Sequence, residues 1–66
     1  MTRYEFEVLS HLERNGAGQY SLRALSDALT ISGGEISRCL ERLAAENRIA
    51  QDGDTLAVTE TGLVAL

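Results

Sequence analysis

The side chains best suited to chemistry stand in one run, Ser32-Gly33-Gly34-Glu35-Ile36-Ser37-Arg38-Cys39-Leu40-Glu41-Arg42. On a helix turning about 100° per residue, Ile36, Cys39, Leu40 and Leu43 share one side. Gly34, Arg38 and Glu41 lie opposite, with Ser37 and Arg42 on the flanks. An outward arginine offers a fork of donors that matches the O6 and N7 acceptors of guanine in the major groove. Ser37 can bond to a base or a phosphate, and Gly33 and Gly34, following Ser32, let a nucleic-acid backbone approach closely. Two further sets suit phosphate. Ser21 and Arg23 open an earlier helix, where backbone amides add to a guanidinium, and Arg48 and Thr55 flank a hairpin. Arg38 and Arg42 could instead pair with Glu35, Glu41 and Glu46 on a solvated surface.

Other chemistry finds little footing. There is no paired acid and base, no nucleophile motif and no glycine loop followed by Lys-Ser/Thr, so no catalysis is expected. Cys39 has no second cysteine to bond, and one Cys with one His cannot build a zinc site, so Cys39 reads as a small buried apolar residue and no cofactor or metal is expected. His11 receives no role. Tyr4, Phe6 and Tyr20 are too scattered for a stacking platform and are expected to pack. Charge opposes the nucleic-acid reading: six arginines and no lysine face ten acidic residues, for a net charge of -4. A dedicated nucleic-acid binder usually carries a basic excess, so any grip on DNA must rest on local charge.

The elements that position these residues follow from caps and periodicity. Sixty-six residues support one small domain, 1-66. Thr2 and Glu5 have capping-box spacing for a first helix with the stripe Phe6, Val8, Leu9 and Leu12, ending near Arg14 before Asn15-Gly16-Ala17-Gly18. Gln19 and Tyr20 suit a short strand. Ser21 caps a brief second helix carrying Leu22, Leu25, Ala28 and Leu29. Ser32 and Glu35 form a second capping box, with Ile31 placed to staple the entry of a third helix. Two helices joined so tightly form a helix-turn-helix. Ile49, Gln51, Leu56 and Val58 alternate about Asp52-Gly53-Asp54 as a hairpin, and Thr59-Glu60-Thr61-Gly62 restarts a helix. The expected class is α+β, mainly α: a three-helix core with a short β-hairpin wing.

From Ser21 onward the chain resembles the DNA-binding core of MarR-type winged helix regulators. The likeness lies in Ser21-Leu22-Arg23-Ala24-Leu25-Ser26-Asp27-Ala28-Leu29, Ile36-Ser37-Arg38-Cys39-Leu40-Glu41-Arg42-Leu43, Asn47-Arg48-Ile49 and Val58-Thr59-Glu60-Thr61-Gly62. The resemblance implies a winged helix-turn-helix that reads double-stranded DNA as a bacterial-type transcription regulator, with the third helix in the major groove. Two departures weaken the phosphate grip: Gly33-Gly34 where the family usually has lysine or another polar residue, and Asp52-Gly53-Asp54 where it has a longer basic wing. The acidic wing suits a second use, as a co-regulator or adaptor that contacts protein. One copy offers few phosphate contacts, so a homodimer is expected on DNA, with the first helix and Leu63, Val64 and Leu66 as its candidate surface. Without a signal core or an apolar stretch of spanning length, the expected compartment is the cytoplasm.

Overall fold

The computed structural model describes all residues, Met1–Leu66. Helix α1 (Arg3–Asn15) opens on a complete capping box: Glu5 N donates to Thr2 Oγ1 at 3.2 Å and Thr2 N donates to Glu5 Oε1 at 2.9 Å. It stops at Gly16, whose φ of 82° is open to a residue without Cβ. Strand β1 (Gly18–Gln19) leads to α2 (Leu22–Leu29), and a three-residue turn joins α2 to α3 (Gly33–Ala45). Strands β2 (Ile49–Asp52) and β3 (Thr55–Val58) form the hairpin, and α4 (Glu60–Ala65) follows. The sheet is antiparallel with β3 central, pairing Gly18 with Leu56 on one side and Ile49 with Val58 on the other.

The core is one cluster drawn from almost every element: Val8, Leu9 and Leu12 of α1, Leu25 of α2, Ile31 of the turn, Ile36, Cys39 and Leu43 of α3, and Ile49 and Leu56 of the hairpin. α3 packs on α1, α2 and β2 together, so its outward face is held from three directions. Burying each of these aliphatic side chains contributes roughly 1.5–3 kcal/mol before conformational entropy is charged against it.

Several expectations need correction. Phe6 leaves the stripe and is 45% exposed, while Glu5 takes its place and is only 3% exposed. Positions 5, 8, 9 and 12 make the better i, i+3, i+4, i+7 series. The carboxylate is tolerated there because the Thr2 amide satisfies it. Leu22 and Tyr4 are also exposed, and Ala28 faces solvent. β1 begins one residue earlier than Gln19-Tyr20, and Tyr20 instead donates its hydroxyl to the Gly16 carbonyl at 2.6 Å. Asp52 is the last residue of β2, paired with Thr55, so the two-residue loop is Gly53-Asp54 and only Gly53 has positive φ, 61°. That is the glycine-first pattern of a II′ turn rather than an Asp-Gly turn.

Two exits fix where α3 points. Thr30 ends α2 in the left-handed region at φ 56°, costly for a β-branched residue. It is held there by Ser26: the Thr30 and Ile31 amides both donate to the Ser26 carbonyl, and Ser26 Oγ donates to the Ile31 carbonyl. α3 ends in a Schellman arrangement, with Asn47 at φ 60°, Arg48 N donating to Leu43 O and Asn47 N to Ala44 O. Beyond the hairpin, Gly62 is buried against the Arg48 carbonyl, which also accepts from Thr59 N. A Cβ at Gly62 would overlap that oxygen and stand 2.7 Å from Val58 Cγ1. The hairpin is thereby clamped to the end of α3 by α4.

Candidate nucleic-acid interface

α3 presents Gly34, Ser37, Arg38, Glu41 and Arg42 as an exposed surface. Ser32 caps it, its Oγ accepting from Glu35 N at 3.3 Å, which is half of the expected capping box. The other half is not made, because the Glu35 carboxylate turns forward and takes Arg38 Nη2 at 2.9 Å. Gly33 sits over Leu22, and a Cβ there would meet Leu22 Cδ2 at 3.7 Å, an ordinary contact. At Gly34 nothing lies within 4 Å of such an atom. At Gly34 the start of α3 is therefore bare backbone, open to a large partner.

The outward surface divides into two flanks. Arg38 and Arg42 border a cavity with Thr2, Tyr4 and Glu5 of the α1 end. Arg42 Nη1 reaches to 3.9 Å from Glu5 Oε2, not to Glu41 or Glu46. Ser37 and Glu41 border a separate cleft of about 260 Å³, whose other walls include Tyr20, Leu22, Gln51 and Asp54. No arginine lines that cleft. Glu41, Asp52 and Asp54 have no cation within 4.0 Å, so this side of α3 and its hairpin are acidic.

The remaining candidates are dispersed. Ser21 caps α2, its Oγ accepting from Ala24 N at 3.0 Å, and Arg23 in the first turn is 92% exposed with Asp27 at 4.0 Å. A guanidinium so loosely held can swing to a phosphate. Arg48 differs: its side chain is 22% exposed, lies 3.4 Å from Glu46, and keeps Nη1 buried without a hydrogen bond. It belongs to the clamp behind the hairpin more than to the outward face. Thr55 opens the central strand and is exposed beside the loop. The residue that sequence reasoning missed is Glu5. Its capping role was legible, but nothing in the local pattern signals that its second oxygen faces α3.

These features together are an antiparallel hairpin behind a helix-turn-helix. No family model and no curated protein sequence matches the chain. Among solved structures, MepR, a transcription regulator of the Staphylococcus aureus multidrug efflux pump MepA, superposes with a TM-score of 0.80 over 98% of this chain. The fold is a winged helix. Sequence identity is 19%, and the chain spans half the length of the MepR chain. The architecture that the motifs implied is thus present, with the order helix, strand, helix, turn, helix and wing intact. No helix of the winged helix is long and apolar enough to cross a membrane.

Proposed function

We propose that this winged helix is the double-stranded-DNA-reading module of a cytoplasmic, bacterial-type transcription regulator, with α3 entering the major groove. The observation that carries the reading is the start of α3: a half-buried Gly33 and an exposed, bare Gly34, followed by Ser37 and Arg38 on the same outward face. The likeness of fold to a transcription regulator supports it by analogy. Glu35 orients Arg38 through one of its donors and leaves the rest of the fork for guanine. The start of α2, with Ser21 and the loosely held Arg23, is suited to a flanking phosphate, and Thr55 is placed for another at the wing. Affinity comes from two copies on successive half-sites. Their contact is assigned to α1 with α4, where Phe6, Leu63, Val64 and Leu66 are 43–88% exposed.

The test is fluorescence anisotropy on a labelled duplex pool at low and moderate salt, with Arg38→Ala alongside. Salt-dependent binding that Arg38→Ala weakens about tenfold or more supports the reading, since one good arginine–guanine pair is worth about 1–3 kcal/mol. Absence of binding at low salt overturns it. One observation favours a second reading: the acidic flank formed by Glu41, Asp52 and Asp54 occupies the side where the wing would approach phosphates. In that case the module contacts a basic protein surface, and the same titration shows no DNA binding at any salt.

A further inference from the structure

The carboxylates of α3 and its C-cap do not share one fate. Glu35 holds Arg38, and Glu46 faces Arg48 at 3.4 Å, whereas Glu41 has no cation within 4.0 Å. The neighbouring Arg42 passes it over for Glu5. Glu41 is exposed on the outward face three residues beyond Arg38, roughly 4.5 Å further along the helix axis, close to one base-pair step of about 3.4 Å. A carboxylate can only accept hydrogen bonds. Guanine and the thymine carbonyl present only acceptors to the major groove, and the base-edge donor that best suits glutamate is the cytosine N4 amino group.

We propose that Glu41 is a specificity-determining residue that selects cytosine at the base pair next to the one Arg38 reads. The inference rests on the DNA reading above and deepens it. Near phosphates an unpaired carboxylate repels every duplex equally, so it lowers indiscriminate binding, while the cytosine amino group repays it only at the right site. An acidic reading helix then trades affinity for selectivity, which gives the charge at this position a use. Replacing the carboxylate by an amide changes the partner, because glutamine presents a donor and an acceptor that match adenine N6 and N7.

The experiment is selection of bound duplexes from a randomised pool by the full chain, in parallel for wild type, Glu41→Gln and Glu41→Ala, with thermal melts to show that all three fold. Glu41 makes no contact that folding needs, so the melts are expected to coincide. The expected result is a wild-type motif with cytosine at one position, replaced by adenine in Glu41→Gln and by no preference in Glu41→Ala. Discrimination at that position should fall about tenfold, while binding to unrelated duplex rises. A wild-type motif that both variants reproduce unchanged overturns the role of Glu41 and leaves the DNA reading standing. Failure of the wild type to bind or enrich any duplex overturns both.

Discussion

On the flank of α3 that faces α1, Arg38 holds Glu35 at 2.9 Å and Arg42 stands 3.9 Å from Glu5. On the flank that faces the hairpin, Glu41 and Asp54 border a cleft with no arginine in it. The contrast locates the net charge. Five arginines lie within 4.0 Å of five carboxylates. Arg14 then stands against Glu13, Glu41, Asp52, Asp54 and Glu60, which is the whole charge of -4. Three of those five acids lie on α3 or the hairpin, so the excess is concentrated where a partner would dock. One flank is largely paired from within the chain, with part of the Arg38 fork still free; the other has no internal counter-charge.

The most damaging way to break this comparison is to unseat the hairpin from α3. Gly62→Ala forces a methyl into the Arg48 carbonyl and against Val58 Cγ1. Neither the backbone at Arg48, held in the exit of α3 by its hydrogen bonds, nor a packed valine can yield cheaply, so the expected loss is about 3 kcal/mol, read as a lower urea midpoint. Binding should fall with it, because the acidic flank no longer has its second wall. A variant with unchanged stability would show that α4 does not clamp the hairpin.

Next in size is Glu5→Ala, aimed at the satisfied flank. It deletes one half of the α1 capping box, leaves the Thr2 amide without its acceptor and strands Arg42. A lost cap with a small cavity predicts about 2 kcal/mol of destabilisation, with little from the Arg42 contact because that guanidinium is largely solvated. Glu5→Gln keeps an acceptor for Thr2 N and should lose less than half as much. Binding of any partner to the hairpin flank should be unchanged in the fraction that folds, since Glu5 lies on the other side of α3.

How much of this was legible in the chain depends on the range of the interaction. Caps are local, so Thr2, Ser21, Ser32 and Thr59 marked all four helix starts within a residue or two. The apolar spacing of α3 named Ile36, Cys39, Leu40 and Leu43 as its core face, of which Leu40 is only partly buried at the edge of the cluster, and the whole winged-helix order followed. The assignment of charges to partners was legible only in part: the Arg38–Glu35 pair was among those expected, and the Arg42–Glu5 pair was not. Glu35 had the spacing of a capping box, yet its carboxylate gained more from a guanidinium three residues on than from a neutral amide. Arg42 had Glu41 and Glu46 nearby in sequence, yet it reached across to α1, a choice set by helix packing and invisible to periodicity. Phe6 looked like core because it is apolar; Glu5 entered instead because its angular position and its cap bond outweighed its charge. The outward candidates Ser37, Arg38 and Glu41 do share one exposed helix face, but their division into two flanks appears only once α1 and the hairpin are in place.

The smallest predicted effect uses Cys39 as a reporter of the satisfied flank. Its thiol is buried and its pKa is raised, first by burial, then by the Glu5 and Glu35 carboxylates, with Arg42 and Arg38 partly offsetting them. The folded state therefore holds the thiol proton more tightly than the unfolded chain does. The resulting stability is fully present below the unfolded thiol value of about 8.5 and is lost as pH rises from there through the folded value. A weak alkaline decline of the unfolding free energy is expected in wild type, and its thiol part should vanish in Cys39→Ala. Arg42→Ala removes one of the two offsetting cations, so it should push the thiol higher still and slow its reaction with a thiol reagent at alkaline pH under native conditions. Should Arg42→Ala leave the thiol titration unmoved, Arg42 does not reside on the α1 flank in solution, and the guanidinium would be free to serve the outward face with Arg38.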